Sequence, residues 1–281
     1  MKIGVLSESF RLPVMKAIEE AAKLGLDGLQ IYAVGEELNC GRCPAQIIRD
    51  IKASIHDHGM SVSAICGDLG GHGFCRADEN AVKIDLSKRL VDFARELDTE
   101  IITTHIGVIP NDTSCARYTV MQKACAELAQ YARAAGAVFA IETGPEPAET
   151  LLKFLDTLPK GGIGVNMDPA NLVMVTSVDP AAAVLLLRQY IVHTHAKDGL
   201  QLRPADPQQV YDFFAEGGIG DLRLEEFFKE TPLGEGDVDF AQYFRALKEI
   251  NYHGFLTIER EVGNHPLQDI RSARDYLKQF L

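Results

Sequence analysis

The sequence predicts an α/β chain closed into a barrel of eight parallel strands, and three observations carry that reading. Short apolar runs alternate eight times with stretches of helical period along the 281 residues. Gly25, Gly59, Gly136 and Gly254 stand where a helix should hand over to the next strand, positions at which a residue of positive φ ends a helix. The segment after the first run reads Ser7-Glu-Ser-Phe-Arg-Leu12 and lacks the glycines with which an open doubly wound sheet cradles a phosphate. Strand–helix repeats with right-handed crossovers then close most economically as a single (β/α)8 TIM barrel spanning residues 1–281.

Lys2–Leu6 reads as the first strand, followed by a helix from near Leu12. Gly28–Tyr32 and Ser61–Cys66 come next, with helices from near Pro44 and Glu79, the second reached through the Gly-rich stretch Gly67–Ala77. Ile101–His105 precedes a helix from near Ser114, and Val138–Glu142 precedes one from Ala148. Ile163–Asp168 is the sixth strand; its helix starts at Pro180, a residue suited to a first helical turn. Ile191–His195 is the seventh, and its helix, from Phe240, comes only after a long insertion, Gly199–Asp237. Phe255–Glu259 and a helix from Pro266 complete the series. Both irregular stretches fall at the C-terminal face, where long loops serve as lids or binding walls. The pairs Phe213-Phe214 and Phe227-Phe228 suit packing over a site or against a second subunit, which leaves a homo-oligomer open.

A hydrophobic fraction of 46% suits a large core, and no apolar run approaches the roughly 20 residues a bilayer span needs. The N-terminus enters strand-like sequence without a signal-peptide pattern, so a cytoplasmic location and no membrane partner are expected. A formal charge of −12 without a Lys/Arg cluster disfavours a nucleic acid and favours a small-molecule partner. Six cysteines, at 40, 43, 66, 75, 115 and 125, follow no framework spacing. Cys40-Gly-Arg-Cys43 lacks the second ligand pair of a structural zinc site, so free thiols are expected.

Chemistry concentrates at the strand ends. In Ile191-Val-His-Thr-His-Ala-Lys-Asp-Gly199, alternation puts His193, His195 and Lys197 on one face of an otherwise buried strand. The ends of strands five, six and eight read Ile141-Glu-Thr, Asn166-Met-Asp and Ile258-Glu-Arg. Glu142, Asp168, His195 and Glu259 thus leave four neighbouring strands about 5 Å apart and can converge on one ion. Three crowded carboxylates would otherwise repel one another and take up protons. Three oxygen donors and one nitrogen favour a hard or borderline divalent ion, Mn²⁺ first, with Mg²⁺ or Co²⁺ as alternatives and Zn²⁺ less well matched. Asp168 before Pro169 also reads as a helix N-cap, whereas Glu142 and Glu259 follow apolar residues and would be costly to bury unpaired. His193, one layer deeper than His195, reads as a hydrogen-bonded core histidine or as support for a ligand. Lys197, His105 and His72 are candidate substrate contacts, with solvated cleft residues as the alternative reading. Arg76, Arg117, Arg203 and Lys197 could meet an anionic group, Glu235 reads as a loop charge, and Arg260 should point to the opposite strand face.

These residues resemble the sugar phosphate isomerase/epimerase family of the xylose-isomerase-like TIM barrels, over nearly the whole chain. Asp168-Pro-Ala-Asn-Leu172, His193-Thr-His-Ala-Lys-Asp198 and Gly234-Glu-Gly-Asp-Val-Asp-Phe240 are similar to its recurrent segments. The resemblance implies one catalytic divalent metal held by Glu142, Asp168, His195 and Glu259. It also implies an enediolate formed from a small keto-sugar, sugar acid or sugar phosphate, with Glu142 and Glu259 moving protons on opposite faces of the carbon. Asn171 stands where the epimerases carry the histidine of an Asp-x-x-His pair; an amide there can still donate to or accept from a sugar hydroxyl. The same departure separates the chain from the related apurinic endonucleases. A dehydratase or lyase of a cyclic polyol ketone passes through the same enediolate, and a non-catalytic sugar-binding protein could use the same pocket, so both stand as alternatives.

Overall fold

Strands and helices alternate as the apolar pattern dictates, in a computed structural model that describes residues 1–36 and 38–281. The order is β1 (Lys2–Leu6), α1 (Val14–Lys23), β2 (Gly28–Tyr32), α2 (Ala45–Asp57), β3 (Ser61–Cys66), α3 (Ala77–Glu96), β4 (Ile101–Thr104) and α4 (Ala116–Ala134). It continues with β5 (Val138–Glu142), α5 (Ala148–Asp156), β6 (Ile163–Met167), the short α6 (Pro169–Asn171), α7 (Pro180–Leu187) and β7 (Ile191–Ala196). The inserted β8 (Asp198–Gln201), α8 (Pro207–Glu216) and β9 (Phe228–Thr231) follow, then α9 (Phe240–Glu249), β10 (Phe255–Ile258) and α10 (Pro266–Leu277).

Eight parallel strands close in the order β1-β10-β7-β6-β5-β4-β3-β2, the (β/α)8 barrel that the repeat pattern predicts. Strand alternation turns Leu29, Ile31, Phe139, Ile141, Val165 and Leu256 outward, where they are buried beneath the helices. Gln30, Asn166, His193, His195 and Thr257 have the opposite parity and line the axis.

Three strands end one residue earlier than expected, at Thr104, Met167 and Ile258, and β7 runs one residue further, to Ala196. His105, Asp168 and Glu259 are therefore the first residues past their ladders. Asp168 leaves its strand because its carboxylate caps α6, accepting from the Asn171 N–H at 2.8 Å. Gly25, Gly59 and Gly136 end their helices at φ 64°, 68° and 67°, as expected. The helix before β10 instead turns on Asn251, at φ 57°, and Gly254 lies beyond it against the Tyr252 ring.

The insertion is an antiparallel hairpin, Asp198 facing Thr231 and Gln201 facing Phe228, with α8 carried between its strands. Its base is closed by the Asp198 carboxylate, which accepts the N–H groups of Gly199, Gly234 and Gly236 at 2.9 Å and that of Val238 at 3.2 Å. A Cβ on Gly236 would lie 2.2 Å from Asp198 Oδ1, so a glycine is required at that approach. No single helix among the described residues is long and apolar enough to cross a membrane, and all six cysteines are free thiols.

Candidate metal centre

Glu142, Asp168, His195 and Glu259 each bring one donor atom to the barrel mouth, and the four atoms lie within 4.8 Å of one another. Strand order accounts for the convergence, because β5, β6, β7 and β10 are consecutive around the barrel. His195 Nδ1 sits at the centre, 3.0 Å from Glu259 Oε2, 3.2 Å from Asp168 Oδ2 and 3.7 Å from Glu142 Oε1. The other ring nitrogen donates to Gln30 Oε1 at 2.8 Å, a pairing that turns Nδ1 to the carboxylates, where a cation would take the place of its proton. Asp168 uses one oxygen for its cap and turns the other to His195, so its two sequence readings coexist.

A shell of amides holds the carboxylates. Glu142 Oε2 accepts from Asn166 Nδ2 at 2.9 Å, and Oε1 accepts from Asn171 Nδ2 at 3.1 Å. Asn166 is oriented by His193, whose Nδ1 donates to its Oδ1 at 2.8 Å, while His193 Nε2 accepts from Thr257 at 2.9 Å. His193 therefore braces Glu142 from below, through Asn166. Burial and the neighbouring His195 push its pKa well below the usual value, so the ring is neutral.

The donors fit a cation. Glu259 Oε2 is buried without a hydrogen-bond partner, its neighbours being His195 Nδ1 and, at 3.2 Å, Lys197 Nζ. Burial raises the Glu142 carboxyl, against the pull of His105 and His195, to about 7. Burial opposes a charge on His195 as well, but Glu259 and Glu142 outweigh it and drive its pKa well above the ordinary value. The protein alone thus gathers positive charge at the point where the carboxylates meet, which is where a divalent ion would sit.

Above the donors opens a cavity of about 570 Å³. His105, Asn171 and Lys197 line it, with Glu142 and Glu259 on its floor, while Asp168 and His195 lie buried beneath. His105 Nε2 is 3.5 Å from Glu142 Oε1, and its ring meets Tyr211 of α8 edge-on at 6.5 Å. Lys197 pairs with Glu259 and, closer still, with Glu261. Val210, Tyr211 and Phe214 of the insertion form one wall, so α8 covers the site.

Other candidates take different places. His72 does not line the cavity; its Nε2 lies 2.5 Å from Glu216 Oε1 and its Nδ1 3.4 Å from Asp212, which clasps α8 to the Gly-rich loop. Arg76 pairs with Glu79 and Glu216, Arg117 donates to Gln208, and Arg203 pairs with Glu226, so none of the three reaches the cavity. Glu235 also lies outside the cavity lining. Arg260 turns away, as expected, to Glu230 and Asp269. Sequence reasoning passed over Gln30 and Asn166, although each is a polar residue on the axis-facing parity of a buried strand and was detectable on that ground. It also passed over Glu146, a buried carboxyl in the loop after β5, and Tyr211, which no pattern marks.

Residues 18–280 match the family described as xylose isomerase-like TIM barrel. An uncharacterised protein of Methanocaldococcus jannaschii is 24% identical over 211 residues, 70% of this chain and 62% of that protein. An inosose dehydratase of Clostridium tetani is 28% identical over 143 residues, 49% of this chain and 44% of that enzyme. The chain thus spans less than two thirds of the length of these curated relatives. Among solved structures, a xylose isomerase domain protein from Planctomyces limnophilus superposes with a TM-score of 0.80 at 25% identity, covering 99% of this chain and 96% of that one. A D-tagatose 3-epimerase-like protein gives 0.77 at 18% identity, covering 100% and 97%.

Proposed function

The chain belongs to the xylose isomerase-like TIM barrel family, and on that premise we propose that it is a divalent-metal-dependent isomerase or epimerase of a small keto-sugar or sugar acid. The carrying observation is the set of four donor atoms within 4.8 Å at and just beneath the cavity floor, one of them a buried carboxylate oxygen without a hydrogen-bond partner. Glu142, Asp168, His195 and Glu259 would hold the ion, and Mn²⁺ suits three oxygens and one nitrogen. Bound there, it would supply the charge that draws a carbonyl and the neighbouring hydroxyl of a sugar and acidifies the adjoining C–H.

The residues divide the remaining work. Glu142, held by Asn166 and Asn171, and Glu259 serve opposite faces of the carbon: one carboxylate takes the carbon-bound proton, which leaves an enediolate, and the other, after taking a proton from solvent, returns it on the opposite face. Lys197 stands beside Glu259 and, with His195, holds its carboxyl well below the ordinary range against the effect of burial, so Glu259 is ionised at rest. His105 and Asn171 face the cavity beside Glu142 and would contact substrate oxygens. The test is exchange of a substrate's carbon-bound proton with solvent deuterium. Exchange should require Mn²⁺ and disappear in Glu142→Gln; no exchange across a panel of ketoses and hydroxy acids refutes the proposal.

A second reading, elimination of a hydroxyl from a cyclic polyol ketone, draws support from the inosose dehydratase relative. It shares the enediolate and is separated by product analysis, since elimination yields a dehydrated product. Tight sugar binding with neither exchange nor elimination would instead mark a binding protein.

A further inference from the structure

Resting on the reading of a carbohydrate site, we infer that the substrate is an unphosphorylated sugar or cyclitol ketone that carries an apolar substituent, such as an aryl or alkyl aglycone, remote from its reacting carbons. Size, charge and the chemistry of the outer wall all point this way.

The cavity of about 570 Å³ lies in the range of sites that enclose drug-sized ligands, roughly 300–1,000 Å³. A simple ketose fills only part of such a space. The donor cluster, His105 and Asn171 occupy its floor, and a single ring placed there satisfies them. Apolar side chains make up much of the remaining lining: Met174, Val175, Val210, Phe214, Phe228 and Val262, of which Phe214 and Val262 reach solvent. Three of these come from the inserted hairpin and α8, the segment that departs from the regular barrel. Hydroxyl groups placed against such a surface would lose their hydrogen bonds to water without replacement, whereas an apolar group is favoured there.

Charge argues against a phosphate monoester. The carboxylates of Asp68, Glu225 and Glu261 line the cavity in addition to those that would hold the ion. Lys197 is engaged by Glu259 and Glu261, and Arg76, Arg117 and Arg203 are engaged outside the cavity. The remaining lining ammonium is Lys229, an exposed residue at the rim. A dianionic substituent would therefore meet more negative than positive charge, with no guanidinium to form a bidentate pair.

A matched series tests the inference: a 3-keto-glucose, its 6-phosphate, its methyl glycoside and its 4-nitrophenyl glycoside. Binding to the Mn²⁺-loaded protein is measured by calorimetry, and solvent deuterium exchange is followed by NMR on the same samples. The aryl glycoside should bind at least tenfold more tightly than the free sugar, and the 6-phosphate more weakly than the free sugar. Phe214→Ala, at an exposed position where folding is not at stake, should reduce the aryl-to-methyl affinity ratio at least threefold. An aryl glycoside no better than the methyl glycoside, a 6-phosphate that binds more tightly than the free sugar, or no binding by any member overturns the inference. Exchange without this order of affinities would overturn the inference alone, while the order without exchange would support it and count against catalysis.

Discussion

Replacing Glu146 with glutamine should stabilise the protein near neutrality and leave it unchanged in acid. Glu146 lies in the loop between β5 and α5, buried, with Oε2 accepting from the Ile109 N–H at 3.4 Å. Burial raises its carboxyl from 4.5 to about 8, against the Ile109 N–H and the charge of His105. The folded chain therefore holds this proton more tightly than the unfolded chain, and stability falls as pH rises from 4.5 toward 8. At about 1.4 kcal/mol per pH unit, the loss at pH 7 amounts to about 3 kcal/mol. Glutamine has the same shape and keeps an oxygen for the Ile109 N–H, but it does not ionise. Glu146→Gln should match the parent below pH 5 and exceed it by about 3 kcal/mol at pH 7, roughly 5 °C in Tm for a domain of this size. Thermal unfolding of both metal-free proteins from pH 4.5 to 8.5 isolates the effect, because the pH dependence of the shared donor cluster cancels in the difference. A difference that stays flat across this range, or a variant less stable at pH 8, would refute the reasoning.

The two roles of Asp168 are separable. Asn caps a helix as well as Asp but binds a divalent ion poorly, so Asp168→Asn should cut Mn²⁺ affinity at least a hundredfold, read by elemental analysis after dialysis, while Tm of the metal-free protein changes little. Retention of metal at the parent level would remove Asp168 from the ligand set. Gly236→Ala should cost about 2–4 kcal/mol, seen as a lower Tm and faster proteolysis within residues 199–237, because the new methyl meets the Asp198 carboxylate and the Gly199 nitrogen. Parent-like protease resistance would show that the Asp198 knot does not hold the insertion.

Legibility in the sequence followed the range of the interaction. Strand parity and strand order are local or topological properties, so the four candidate ligands Glu142, Asp168, His195 and Glu259 could be placed at one mouth before any coordinates. Strand ends were less legible: His105, Asp168 and Glu259 lie one residue beyond their ladders, Asp168 because it caps α6. His72 shows where local reading stops. A histidine in a Gly-rich loop after β3 suits a substrate contact, yet its partner Glu216 is 144 residues away on an inserted helix that no period anchors to the barrel. Gln30 was visible by parity as an axis-facing polar residue, but its acceptor role toward His195 was not, since it spans 165 residues and depends on which inner layer each strand presents. For Gly199–Asp237 the sequence suits a lid or an interface; the structure puts Val210, Tyr211 and Phe214 of α8 on the cavity wall, and the Asp198 knot at the base of the insertion joins two sequence motifs whose common purpose neither reveals alone.

What makes the mouth able to receive a cation is the layer beneath it. Gln30 donates to Thr103 at 2.7 Å and accepts from His195; His193 links Asn166 to Thr257; Asn166 in turn holds Glu142. These contacts join β2, β4, β5, β6, β7 and β10 into one network across the barrel axis. Each polar group in it is buried, and an unpaired one would destabilise the fold, so the network is tolerated because its members satisfy one another. The same pairing fixes the ring of His195 and one oxygen of Glu142 before an ion arrives, leaving Glu259 Oε2 without a hydrogen bond at the point of convergence. An incoming ion would then meet donors already oriented and would relieve their mutual repulsion, so binding need not reorganise the barrel. On this account, loss of the Asn166 amide should weaken the metal site without touching a ligand, because the cavity floor owes its geometry to the layer below.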